Sequence, residues 1–193
     1  MTHYNLALLG FGNVGQALAR LLLRKTPDLA RDFGITFSVT AIGTARHGLV
    51  ADPRGLDLAH TLRLVEAKQP LAALAGCPAP ADAFELLRLS QAQVFFENTP
   101  VDYHTGQPAL SYLQAALELG MHAITANKGP VVHGYRQLTE LAARQGRKFY
   151  FESAVMDGAP VFSLFRQALP AVELRAFTGI LNSTTNLILG RME

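Results

Sequence analysis

Leu6-Ala7-Leu8-Leu9-Gly10-Phe11-Gly12-Asn13-Val14-Gly15 decides the fold: an apolar run enters a glycine-rich turn, and Val14, Ala17, Leu18, Leu21 and Leu22 follow at helical spacing. A strand, a glycine turn and an amphipathic helix in that order bring backbone N–H groups and a helix N-terminus to face a pyrophosphate. Each glycine has its own task. Gly10 permits the tight turn, Gly12 keeps a side chain out of the path of the phosphates, and Gly15 lets helix and strand pack closely. With Phe11, Asn13 and Val14 between and beside them, these residues are the candidate dinucleotide-binding turn.

Working outward, apolar strands alternate with helical patterns, which predicts an α/β fold: a Rossmann-type doubly wound parallel sheet covered on both faces. Thr26-Pro27-Asp28 is expected to break the first helix. Strands are expected over 35–42, 94–98, 122–126 and 148–152, and helices over 57–66, 82–89, 108–119 and 134–145. In open sheets of this kind ligands bind beyond the carboxyl ends of the strands. The rim therefore comprises the first glycine turn, Gly43 to His47, Asn98-Thr99-Pro100, Ala126 to Pro130, and Glu152 to Pro160.

Composition excludes several classes of function. The 193 residues carry 17 basic and 15 acidic side chains, a net charge of +2 spread along the chain, so no basic stripe for nucleic acid is present. No apolar run reaches the roughly 18 residues of a membrane span, and the first residues lack the charged start and apolar centre of a signal peptide. A cytoplasmic protein is expected. Cys77 is the only cysteine and reads as an apolar filler. The six histidines are dispersed without metal-binding spacing, and no phosphate-binding Gly-Lys-Ser/Thr loop occurs.

Five blocks in series then carry a resemblance: Gly10 to Gly15, Thr99-Pro100, Ala126-Asn127-Lys128-Gly129-Pro130, Glu152-Ser153-Ala154-Val155-Met156-Asp157-Gly158-Ala159-Pro160, and Gly179-Ile180-Leu181-Asn182-Ser183-Thr184-Thr185-Asn186. The chain resembles homoserine dehydrogenase, whose members interconvert L-homoserine and L-aspartate 4-semialdehyde with NAD(P) in threonine and methionine biosynthesis. The resemblance implies a dinucleotide-binding domain over 1–152, then over 153–193 the truncated start of an α+β substrate and dimerisation domain. It implies a small amino-acid substrate and a homodimer. Within that second part a helix over 161–169 and a strand over 171–180 are expected.

Hydride transfer to an aldehyde carbon requires a proton donor and a cation near the oxygen that develops charge. Lys128, beside Asn127 at a strand's end, is the candidate for catalysis and substrate contact; its plainer role is a solvated charge. Thr99 and Pro100, after Asn98, would lie beneath the nicotinamide. Glu152, Val155, Asp157 and Ala159 resemble the family's monovalent-cation loop, suited to sodium, although Asp157-Gly158 also reads as an ordinary turn. Asn182, Ser183 and Thr184 would touch substrate; Ser183 departs from the family's usual glycine, and Ser183 or Thr184 could instead cap the helix that follows.

Cofactor choice turns on the end of the second strand. An NAD-preferring site usually places a carboxylate there for the ribose hydroxyls, whereas Thr44, Arg46 and His47 offer none. NADP is expected, with Arg46 pairing with the 2′-phosphate, and NAD remains open. Two other readings stand beside this one: a non-catalytic NAD(P)-binding module or regulator, and a different oxidoreductase such as an aspartate dehydrogenase-like enzyme. Ala126-Asn127-Lys128 and Gly179 to Asn186 argue against the last.

Overall fold

Alternation along β1 (Thr2–Leu9) splits the core into two layers. Leu6 and Leu8 pack with Phe11, Ala19 and Ile42 on one face of the sheet. Ala7 and Leu9 turn to the other, against Leu86, Phe95, Leu113 and Leu138. Period-two burial on both faces is what a strand in the middle of a doubly covered sheet requires. The computed structural model describes residues 1–74, 79–156, 158–169, 171–180 and 182–192, so Cys77 and Asp157 lie outside the described residues.

Beyond β1 the chain runs through α1 (Asn13–Phe33), β2 (Ile35–Thr44), β3 (Gly48–Ala51), α2 (Leu58–Glu66), α3 (Ala83–Ser90), β4 (Val94–Glu97), α4 (Ala109–Glu118), β5 (His122–Thr125), α5 (Lys128–Arg144) and β6 (Phe149–Tyr150). The strands lie in the order β3-β2-β1-β4-β5-β6. All neighbours are parallel except β2 and β3. The chain winds outward from β1 in both directions, so the gap between the carboxyl ends of β1 and β4 is the topological switch point.

Local chemistry sets most element starts. The Asp57 carboxylate accepts the His60 N–H at 2.8 Å and the Asp82 carboxylate the Glu85 N–H at 2.7 Å, each at a helix N-terminus where donors would otherwise lack partners. Gly34, at φ 64°, closes α1 in the left-handed conformation, its N–H donating to the Ala30 carbonyl.

Three expectations are corrected, and one strand is added. Pro27 does not end α1, which continues to Phe33. The proline forfeits one helical hydrogen bond, a defect of about 3 kcal/mol, but Leu18 and Leu22 are packed on the core and Asp28 pairs with Lys25 and Arg31. The edge strand β3 was not anticipated; it folds back on β2 as a short antiparallel ribbon. Helix α5 begins at Lys128, not 134, because Asn127 caps it and Pro130 lies in the first turn, where a missing N–H leaves nothing unpaired. Residues 172–180 form no strand, and every one of them is exposed.

After β6 the chain makes a tight turn over Glu152–Ala154, a helical turn at α6 (Val161–Ser163) that widens over Leu164–Ala168, and finally α7 (Ser183–Met192). Phe162 stacks edge-on against Phe151 at 4.9 Å, and the Arg166 guanidinium lies 4.8 Å from the Phe151 ring. This aromatic contact ties the start of the final segment to the sheet.

Candidate functional site

The glycine turn at the end of β1 can be tested by asking what a methyl group would meet at each glycine. On Gly10, at φ +90°, it would meet the backbone carbonyl of Asn98, and on Gly15 the carbonyl of Gly10. Both approaches are backbone against backbone, so neither neighbour can yield. On Gly12 it would meet nothing within 4 Å. Gly12 opens onto free space beside the N-terminus of α1, which no side chain caps. Two glycines are needed for packing, and the third borders a void where unpartnered N–H groups converge. Those are the properties of a phosphate cradle, so the residues present fit a dinucleotide.

Beside that cradle a cleft of about 190 Å³ is lined by Val14, Asn98, Thr99, Val101, Tyr103, Ala126, Asn127 and Lys128. It lies at the switch point, with α1 on one side and the ends of β4 and β5 on the other. Five residues singled out from sequence, Val14, Asn98, Thr99, Asn127 and Lys128, thus share one surface. The Asn98 side-chain amide nitrogen is buried without a hydrogen-bond partner. Lys128 is exposed at the first turn of α5, where the positive end of the helix also faces the cleft.

Glu97 and Thr125, which sequence reasoning passed over, shape the floor. Glu97 is wholly buried at the end of β4. One of its oxygens accepts the Thr99 N–H at 2.6 Å and the Thr99 hydroxyl at 2.5 Å; the other accepts the Thr125 hydroxyl at 2.6 Å. Burial pushes its carboxyl above the ordinary range, against the pull of these donors. The available signal was an acidic residue closing the apolar run Val94-Phe95-Phe96, since a glutamate is almost never fully buried without partners. The Thr99 hydroxyl donates its hydrogen inward to Glu97.

Thr44 and Arg46 lie at the adjoining carboxyl end of β2. The Thr44 hydroxyl accepts the His47 N–H at 2.6 Å and tightens the turn into β3, leaving Arg46 exposed at its tip. His104 belongs to an exposed turn whose N–H groups are collected by the Asp102 carboxylate.

The remaining candidates lie elsewhere. Glu152 receives the N–H groups of Phe162 and Ser163 and the Ser163 hydroxyl at 2.8 to 3.2 Å. Burial pushes its carboxyl up, yet the donors from Ser163 and Phe162 outweigh it and hold the group below the ordinary range. A carboxylate ringed by N–H and O–H hydrogens is arranged as a cap, and these donors do not suit a cation's ligand. Among the described residues no group of three or more His, Cys, Asp or Glu side chains could hold a metal ion. Val155 and Ala159 lie in the turn that follows. Asn182 caps α7, accepting the Thr185 N–H at 2.8 Å. Neither Asn182 nor Thr184 lines the cleft, and the side chain of Ser183 lies outside what the structure describes.

Comparison with known proteins agrees with this anatomy. The family described as "Homoserine dehydrogenase, NAD binding domain" matches residues 10–152. The NAD(+)-dependent homoserine dehydrogenase of Pseudomonas canavaninivorans is 36% identical over 193 residues, covering 100% of this chain and 55% of that protein. The homoserine dehydrogenase of Methanocaldococcus jannaschii is 32% identical and covers 98% of this chain and 56% of that one. The solved structure of a hyperthermophilic archaeal homoserine dehydrogenase in complex with NADPH superposes with a TM-score of 0.69 at 27% identity, covering 85% of this chain and 48% of that one. The chain spans about half the length of the curated relatives it matches. With three quarters of its residues inside the matched domain and a cradle and switch-point cleft that suit a dinucleotide, this chain belongs to the homoserine dehydrogenase family.

Proposed function

We propose that this chain forms the cofactor half of a homoserine dehydrogenase, acting in hydride transfer between L-homoserine and L-aspartate 4-semialdehyde. Residues 1–152 bind the dinucleotide, and 153–193 open the substrate and dimerisation part of the protein. The observation that carries this reading is the meeting of Lys128 with Thr99 and Val14 in one cleft beside the glycine cradle. When bound, the nicotinamide supplies or accepts the hydride. Lys128 stabilises charge on the substrate oxygen and gives or takes its proton, with the N-terminus of α5 adding to the positive field. Gly10 to Gly15 receive the pyrophosphate. Asn98, Thr99 and Pro100 border the nicotinamide, and Asn127 orients Lys128 by capping its helix.

Asn182, Ser183 and Thr184 reach the amino-acid substrate, in a cytoplasmic homodimer of threonine and methionine biosynthesis. No step here runs through a monovalent cation at Glu152, Val155, Asp157 and Ala159, and capping is the role supported for Glu152.

For the cofactor we favour NADP. Thr44 and Arg46 present a cation and no carboxylate where the adenine ribose would lie, and one relative was solved with NADPH. Another is named as NAD(+)-dependent, so a direct titration decides. Dissociation constants for NADPH and NADH are measured by fluorescence; tighter NADPH supports the reading, and equal or tighter NADH rejects it.

The span of about half the relatives' length favours one competing reading, a binding module without turnover. An assay with homoserine and NADP beside the NADPH titration separates them. Turnover lost in Lys128→Met with NADPH affinity retained supports the enzyme; tight NADPH binding with no turnover in the complete reading frame supports the module.

A further inference from the structure

Four residues on two segments of the chain close a hydrogen-bonded ring under the cleft. Glu97 accepts from the Thr99 N–H and hydroxyl and from the Thr125 hydroxyl. Thr125 in turn accepts the Asn127 N–H at 2.9 Å. The Asn127 amide nitrogen returns to the carbonyls of Thr99 and Pro100 at 3.3 and 3.4 Å, while its oxygen accepts the Gly129 N–H at 3.0 Å. Every hydrogen in this circuit has one direction. With both hydroxyls donating to Glu97, their lone pairs are free to accept, as Thr125 does. An apolar residue at 97 would strand one buried N–H and two hydroxyl hydrogens, each unmet group costing about 1 to 3 kcal/mol.

We propose that Glu97 is a positioning residue: through Thr99, Thr125 and Asn127 it sets the 99–100 turn against the first turn of α5, and so fixes the shape of the end of the cleft where Lys128 stands. The carboxylate is wholly buried and does not line the cleft, which sets it apart from general acid or base work at the reacting atoms. It acts only through the turn and the helix cap. Gly10 packs against the Asn98–Thr99 peptide, but the glycine cradle shares none of the ring's hydrogen bonds, so the ring acts first on the end of the cleft where Lys128 stands. This inference rests on the dinucleotide reading given above.

That the ring's bonds lie at one end of the cleft supplies the test. NADPH spans both ends, whereas 2′-phospho-ADP-ribose lacks the nicotinamide and reaches only the cradle and the Arg46 end. Both are titrated against the native chain, Glu97→Gln and Thr125→Val, with thermal unfolding recorded for each. Glutamine keeps one acceptor oxygen but turns an N–H donor toward a donor; valine removes the Thr125 hydroxyl at constant shape. The expected result is a loss of about tenfold or more in NADPH affinity in both variants, with 2′-phospho-ADP-ribose affinity within twofold of native. Equal losses for the two ligands, or no loss for either, overturn the proposal. Failure of both variants to unfold cooperatively also overturns it, making the ring a part of the core. A native chain that binds neither ligand overturns the dinucleotide reading itself, an outcome distinct from all of these.

Discussion

Phe95 and Phe177 are the same side chain in opposite circumstances: Phe95 on β4 has no exposed surface, and Phe177 in the final segment is 68% exposed. The contrast extends to their surroundings. Up to Phe151 most apolar residues of the strands are buried or pack against buried ones, whereas no described residue from Val161 onward is buried. Yet the final segment is also rich in apolar residues, with Val172, Leu174, Ile180, Leu187, Ile188 and Leu189 all exposed. Apolar pattern alone therefore does not make a core. A strand needs a neighbour for its backbone groups and a face to bury, and 172–180 has neither among the described residues.

The largest expected effect tests this contrast directly. Phe95→Ala removes a side chain from a closed core and should destabilise by about 3 to 5 kcal/mol, seen as a lower urea midpoint. Phe177→Ala should fall within about 0.5 kcal/mol of native. A comparable loss at both positions would break the comparison, because it would mean that Phe177 is covered in solution.

A second contrast lies inside the packed half, between two glycines of one turn. Gly10→Ala forces a methyl onto the Asn98 carbonyl at a positive φ, so both stability and NADPH binding should fall. Gly12→Ala points its methyl into open space. It should leave the unfolding midpoint unchanged and weaken NADPH at least tenfold, read by calorimetry beside fluorescence titration. Retained binding in Gly12→Ala would place the phosphates elsewhere.

Exposure is not always idleness, and Arg46 sharpens the comparison on that point. It is as open to solvent as much of the final segment, yet it sits at the end of β2. Arg46→Ala should weaken NADPH about tenfold, near 1.4 kcal/mol, with NADH affinity unaltered. Equal weakening of both cofactors would assign it to general electrostatics.

These regions also differed in how far the sequence could be read. The first strand, glycine turn and helix were legible because each glycine answers a separate steric demand. The grouping of Thr99, Asn127 and Lys128 followed from the rule that strand ends share a rim. Glu97 was not legible, because its partners Thr99 and Thr125 lie on different segments and meet only once the parallel register places Glu97 beside Thr125. The early start of α5 was hidden for a different reason: Gly129-Pro130 reads as a turn unless the capping asparagine before it is weighed. Pro27 misled in the opposite direction, since a propensity penalty of a few kcal/mol yields to packing along a 21-residue helix.

The smallest expected effect concerns Asp52, where β3 ends. Its carboxylate takes the Arg54 guanidinium at 2.7 and 3.0 Å and the Arg54 N–H at 2.9 Å. These bonds lower its pKa from 3.8 to about 2. A folded-state value below the unfolded one means that the unfolded chain binds the proton first as pH falls. The contribution to stability is therefore complete above the unfolded value and is lost as pH drops from about 4 through 2. Asp52→Asn removes this contribution while keeping the oxygen that accepts from the backbone. Melting temperatures of the two proteins, measured from pH 5 to pH 2, should converge at the acid end and separate modestly above pH 4, native being higher. Parallel curves would mean that the Arg54 pairing is as well made in the unfolded chain, where the two residues are still only two apart in sequence.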